Sequence, residues 1–347
     1  MDAKFILNKR ILFEHVKKLT DLNLKVCYSY KTNREVGNVL QKSDCEFSIH
    51  DYNEISLIKD KGKIWFFLQA ESCDELIKIM KKGVKNFVID NVIDLQRILD
   101  VINSDKCNKK INLSLRMKFQ EHRVGTGRYF VYGMSSKIIN EIIERIRDNH
   151  NIDKLGIHLH RKSQNTSEWE IKSEIRDNIT PENLKKINFF NLGGGLPSIY
   201  RSSSVDCYSY IFQKIKEVVD WLDEKYIKCY IEPGRFLAAP CIKLETEIIQ
   251  KYNNNLIINT TIYNCSLDSH FTGTKMFVEG EDSNEYKDKE VYLIKGNSPT
   301  RDDIFRYNVK LPKKEIGDKI VFINAGAYNY TTDFFGFKKL KTEVVEG

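Results

Sequence analysis

Eight short apolar segments constrain the fold of this chain more than any other feature; they lie at about 25 to 30, 45 to 49, 64 to 68, 86 to 90, 111 to 117, 154 to 160, 187 to 192 and 228 to 232. Helical patterns separate several of them. Ser72 and Glu75 form a capping box at the start of one helix, and Gly83 can end the same helix in the left-handed conformation. Ile138, Ile139, Ile142, Ile143 and Ile146 make a second stripe, and Ile211, Ile215, Val218 and Leu222 a third. Eight strands alternating with helices predict an α/β chain built on a (β/α)8 barrel spanning residues 10–235, with its chemistry at the C-terminal ends of the strands. Ahead of it, AKFIL reads as a short strand, and Ile11, Leu12, Val16 and Leu19 share one helical stripe. From residue 236 the texture changes to KLETEIIQ, NLIINTTIY, EVYLIKG and DKIVFINAG, which predict a second β domain over 236–347, a sandwich or barrel joined by the strand at residues 1–9.

At 347 residues with 41% hydrophobic content, the chain is long enough for a large domain and a smaller one. The formal charge of +7 is dispersed, with pairs such as Lys81-Lys82 offset by nearby acids, so it reads as a solvated surface with no nucleic acid as partner. Cys27, Cys45, Cys73, Cys107, Cys207, Cys229, Cys241 and Cys265 show neither CxxC nor metal-ligand spacing, which points to a reducing compartment and no metal. MDAKFILNKR lacks a signal-like apolar core, and no apolar run approaches the ~18 residues of a membrane span. A cytoplasmic protein without a membrane partner is expected.

Four stretches carry the chemistry. In VCYSYKTN, Lys31 stands where an apolar strand ends; a desolvated amine there loses its charge readily and can attack carbonyls. In GIHLHRKSQ, alternation places His158 and His160 on one face, and His160 at the strand end could lie flat on a planar cofactor. In FFNLGGGLP, three glycines after the seventh segment leave backbone N–H groups open to an anion, where barrels often bind phosphate. In YIEPGRF, Glu232 would be costly inside a barrel unless it met a cation or a proton-sharing nitrogen, and Gly234-Arg235 adds donors beside the phosphate site. Each has a plain structural reading when taken alone: one lysine among 55 cations, a hydrogen-bonded histidine, a glycine turn, a surface turn. Together, an amine nucleophile, a ring-stacking imidazole, a phosphate cradle and a buried acid match pyridoxal 5'-phosphate.

Over nearly its whole length the sequence resembles the fold-type III pyridoxal-phosphate decarboxylases, a family with the alanine racemase-like fold that includes the ornithine, diaminopimelate and carboxynorspermidine enzymes. YSYKTN is similar to the family's Y-x-x-K-A-N, which implies a Schiff-base role for Lys31. GIHLHRKSQ is similar to G-L/V-x-x-H-x-G-S-Q/G, which implies ring stacking by His160 and a phosphate-side contact by Ser163. NLGGG and EPGR imply phosphate binding by Gly193, Gly194, Gly195, Gly234 and Arg235 and a pyridine-nitrogen contact by Glu232, while GAYNYTTDFFGF makes Tyr328 a phosphate ligand. YNCSLDSHFTGTKMF resembles the carboxynorspermidine branch, which has a Ser and a His at this spacing.

The resemblance also implies a homodimer with shared active sites and a small amino-acid substrate. The main departure is SPTRDD, where Arg301 replaces a cysteine linked to carbanion protonation and Asp302 matches an acid that in some branches meets a distal amine. With Arg301 there and Lys275 near it, a substrate with a distal carboxylate or other acidic group is expected. Ser48 is a smaller departure, since several members carry an acid there. Besides decarboxylation of an amino acid, two functions remain open: racemisation, which needs a second base across the ring, and a regulatory role as a non-catalytic paralogue.

Overall fold

The computed structural model describes residues 2–104, 109–119, 132–203, 206–281, 288–329 and 331–347; Cys107 lies outside them. Strand β1 (Lys4–Asn8) opens the chain, and the Asn8 side chain accepts the Ile11 amide to start a helix at Lys9–Thr20, which buries Leu12, Val16 and Leu19. Then come β2 (Lys25–Ser29), β3 (Glu46–Ile49), β4 (Ile64–Phe67), β5 (Asn86–Ile89), β6 (Ile111–Arg116), β7 (Ile152–His158), β8 (Phe189–Asn191) and β9 (Lys228–Ile231). They form a closed parallel barrel, shut by the pairing of Lys25 with Tyr230 and Val26 with Ile231. The predicted (β/α)8 fold is therefore present, strand for strand.

Inward alternation fills the barrel. Cys27, Trp65, Val88 and Phe189 form one cluster with Phe67 and Tyr230, and the Trp65 and Phe189 rings meet edge to face at 5.0 Å. Gly156 interrupts β7 because a Cβ there would lie 2.3 Å from the Phe189 ring. Outside the barrel, Ser72 and Glu75 make the expected capping box on Cys73–Lys81, and Ile139, Ile142, Ile143 and Ile146 are buried on Ser136–Ile146.

The second sheet comprises β10 (Ile242–Tyr252), β11 (Asn255–Ile258), β12 (Phe277–Val278), β13 (Lys289–Lys295), β14 (Ile304–Pro312), β15 (Lys319–Ile323) and β16 (Lys341–Val345), with β1 between β10 and β16. One expectation fails locally. NLIINTTIY is strand only to Ile258, because Thr261 and Asn264 form a capping box that turns Ile262–Cys265 into a helix. Among the described residues no helix is long and apolar enough to cross a membrane.

Candidate active site

The C-terminal ends of the barrel strands open into a cavity of about 520 Å3. Lys31 reaches it from a 3-10 turn, Tyr30–Thr32, that succeeds β2. Its side chain is exposed in the cavity and not desolvated as expected, because the turn lifts it clear of the packed strand end. Asn33 anchors the backbone on both sides: its Oδ1 accepts the Glu35 and Val36 amides, and its Nδ2 donates to Gly326 O at 2.9 Å. The Tyr328 amide donates to Thr32 O at 2.9 Å, so a segment of the second sheet domain is tied directly beside Lys31 and brings the Tyr328 ring into the cavity.

On the neighbouring strand stands Glu232, just past β9 and 7% exposed. Its Oε1 accepts Asn191 Nδ2 at 2.9 Å, and its Oε2 lies 3.1 Å from His158 Nε2. The buried acid thus meets a proton-sharing nitrogen as well as an amide donor. His158 is fully buried, with the Phe67 ring edge to face at 5.2 Å. His160 lies beyond the strand, half-buried in the cavity wall; burial, and then the nearby Arg116 charge, push its pKa down to about 4, so the ring is neutral at ordinary pH.

The glycine turn lies beside these residues, the Glu232 amide donating to Gly193 O at 2.9 Å. Gly194 and Gly195 line the cavity; Gly195 has φ +105°, and a Cβ on it would lie 2.5 Å from Lys162 O. A Cβ on Gly234 would lie 2.5 Å from Thr32 Oγ1 and 3.4 Å from Tyr328 Oη, so a side chain there would fill the cradle. Thr32 Oγ1 is buried without a hydrogen-bond partner. Ser163 also lines the cavity. A cradle open to an anion, an amine, a flat neutral ring and a fixed carboxylate fit pyridoxal 5'-phosphate.

Two expectations need correction. Gly193 is not among the residues lining the cavity; its amide is taken by Asn191 Oδ1 at 2.9 Å, so it shapes the turn and has no N–H left for phosphate. The terminal nitrogens of Arg235 are both bonded to Asp268, at 2.7 and 2.8 Å, and its guanidinium lies 4.8 Å over the Tyr328 ring, so a phosphate would have to share this cation with Asp268. Arg301 and Asp302, which the resemblance assigns to a site shared between subunits, are exposed and lie outside the cavity of their own chain, as do Lys275 and the exposed His270.

Sequence reasoning left His158 without a task and overlooked Asn191, Asp268 and Arg116. A polar or charged residue closing an apolar strand, as in INLSLR and FFN, was the available signal for Arg116 and Asn191; Asp268 had none.

The pyridoxal-dependent decarboxylase, pyridoxal binding domain, matches residues 9–239. Among curated proteins the chain is similar to antizyme inhibitor 2 of Xenopus laevis, 22% identical over 95% of this chain and 77% of that one. It is also similar to the 2-[(L-alanin-3-ylcarbamoyl)methyl]-2-hydroxybutanedioate decarboxylase of Staphylococcus aureus, 21% identical over 93% and 88%. Among solved structures, diaminopimelate decarboxylase from Helicobacter pylori complexed with L-lysine aligns with TM-score 0.83 and 18% identity, covering 100% of this chain and 92% of that one. With the domain model spanning most of the chain and the barrel end carrying a lysine, a fixed carboxylate and a glycine cradle, this chain belongs to the pyridoxal-dependent decarboxylases, and pyridoxal 5'-phosphate is its cofactor.

Proposed function

We propose that the protein decarboxylates an amino acid whose side chain ends in a carboxylate or another acidic group. One observation carries this reading: among the described residues the cavity is lined by Lys31, Arg116, Arg161 and Lys162, none of which the Asp268 carboxylate holds, and by one carboxylate, Glu232, already bonded to His158 and Asn191. Among the described residues, no acid lining the cavity is left for a distal ammonium. Arg116, at the end of β6, has the Tyr132 ring at 5.2 Å and no ion pair among the described residues, so its fork of N–H groups suits an acidic tail. The name of the Staphylococcus aureus relative, which describes an alanine bearing a hydroxybutanedioate, supports the same class.

When bound, the cofactor supplies the electron sink that lets a carboxylate leave as CO2. The amine of Lys31 faces the cavity, where it would hold the cofactor's carbonyl carbon. Glu232, kept in place by two bonds, would hold the proton of the ring nitrogen. Neutral His160 would cover one ring face without adding charge. Arg301 and Asp302, exposed on their own chain, complete the site of a second copy in a homodimer, and Arg301 there adds a further contact to an acidic tail.

The test is CO2 release from a panel of amino acids, with Arg116→Met and Arg301→Ala alongside the unmodified protein. Acid-tailed substrates should lead the panel. Losing a charged, desolvated contact costs about 2 to 5 kcal/mol, so each variant should lose roughly 30-fold to several thousand-fold in kcat/KM on the acid-tailed substrate and far less on a neutral one. Efficient turnover of ornithine or lysine rejects the reading. The antizyme inhibitor relative favours a regulatory binding role as the second reading, and a panel without any CO2 release would support it.

A further inference from the structure

The cofactor's phosphate brings about −1.5 to −2 charges into the cavity, and something must balance them. Arg235 supplies only part of the balance, because its charge is shared with the Asp268 carboxylate, bonded to both its terminal nitrogens. Lys31 is the amine for the cofactor's carbonyl, and Arg116 stands at the end of β6. The cation built into the glycine-turn end is Lys162. Its carbonyl abuts Gly195, the Asn165 amide donates to Gly195 O at 2.8 Å, and Gln164 exchanges two hydrogen bonds with Ser198, at 2.8 and 2.7 Å. The backbone on either side of Lys162 is thereby sewn to the turn that forms the anion cradle, next to Ser163. In the decarboxylase motif that GIHLHRKSQ resembles, this position is glycine, which carries no charge.

The ammonium of Lys162 lies 2.5 Å from Glu168 Oε1. Asn165 positions that acid, accepting the Glu168 amide at 3.0 Å and donating to Glu168 O at 3.0 Å. The other oxygen of Glu168 lies 3.5 Å from Arg161 Nη1, and Arg161 also pairs with Glu174. Glu168 therefore keeps a cationic partner if Lys162 turns away. Lys162 and Glu168 are partly exposed, at 20% and 29%, so neither is locked by packing.

We infer that Lys162 is the counter-ion of the cofactor phosphate, held by Glu168 and exchanged onto the phosphate on binding. This rests on the reading that the phosphate sits at Gly194, Gly195 and Gly234. The exchange moves one hydrogen-bonded ion pair and no proton.

The test is a binding titration of the full-length apoprotein with pyridoxal 5'-phosphate and, separately, with pyridoxal, which lacks the phosphate. Both are followed by the absorbance of the bound ligand, for the unmodified protein, Lys162→Met, Lys162→Gly and Glu168→Gln. Lys162→Met and Lys162→Gly should each weaken pyridoxal 5'-phosphate about tenfold while pyridoxal shifts less than about twofold, as expected for one charge-assisted contact to the phosphate. Glu168→Gln, which frees the lysine, should tighten pyridoxal 5'-phosphate and leave pyridoxal unchanged. The 31P resonance of the bound cofactor should also move in both Lys162 variants. Equal losses for the two ligands, or none for either, overturn the inference while leaving the cofactor site intact. Failure of the unmodified protein to bind either ligand overturns the site reading and the inference with it.

Discussion

The imidazole of His160 allows a stability measurement to report on the site. In the unfolded chain a histidine takes up its proton near pH 6.5, whereas in the folded protein burial and the Arg116 charge delay protonation until about pH 4. Between these values the unfolded chain binds more protons, so stability must fall as pH drops through that window and be fully present above it. Integrating over the two values from pH 7 to pH 4.5, this one group removes about 2 kcal/mol of folding stability. Urea unfolding of the apoprotein and of His160→Gln at both pH values measures it. Taking the pH difference within each protein cancels the variant's own change in packing. The unmodified protein should lose about 2 kcal/mol more than the variant across the interval. Equal losses would refute the reasoning, since His160 would then be as free to protonate in the fold as out of it. The same neutrality predicts that His160 contributes no break to the pH profile of kcat above about pH 5.

The geometry sets three further outcomes. Lys31→Ala should abolish turnover, and borohydride reduction of the unmodified holoprotein with subsequent peptide mapping should place the cofactor on Lys31; a label on another lysine would sink the assignment. Asn191→Leu takes a donor from Glu232 and an acceptor from the Gly193 amide, so urea unfolding should show a loss of about 2 to 5 kcal/mol, and a change below about 0.5 would mean that neither bond matters. If Arg301 and Asp302 serve the second copy's cavity, mixing inactive Lys31→Ala with inactive Asp302→Ala protein should restore part of the activity by subunit exchange, and no recovery despite demonstrated exchange would count against a shared site.

The eight barrel strands were legible because each is a local property: an apolar run of strand length, bounded by residues that turn or cap. Lys31, Glu232, Gly194 and Gly195 were legible for a related reason, since a chemically expensive or permissive residue at such a boundary falls at the barrel's working end. The helix at Ile262–Cys265 was missed because its sequence is as β-prone as the strand before it, and the capping box that starts at Thr261 decided between them.

From its own residues, then, the chain determined the order of strands and helices, the end of the barrel that holds the chemistry, and the cofactor that the chemistry needs. Tertiary structure alone decided which side chains meet there. Glu232 finds His158 and Asn191 across 74 and 41 residues of sequence, Arg235 gives its charge to Asp268 across 33, and Tyr328 arrives beside Lys31 through Thr32 and Asn33. Periodicity carries no record of such meetings, because each depends on the register at which distant strands pair and on the closure of the barrel, and a shift of one residue in any strand would turn its side chain to the opposite face.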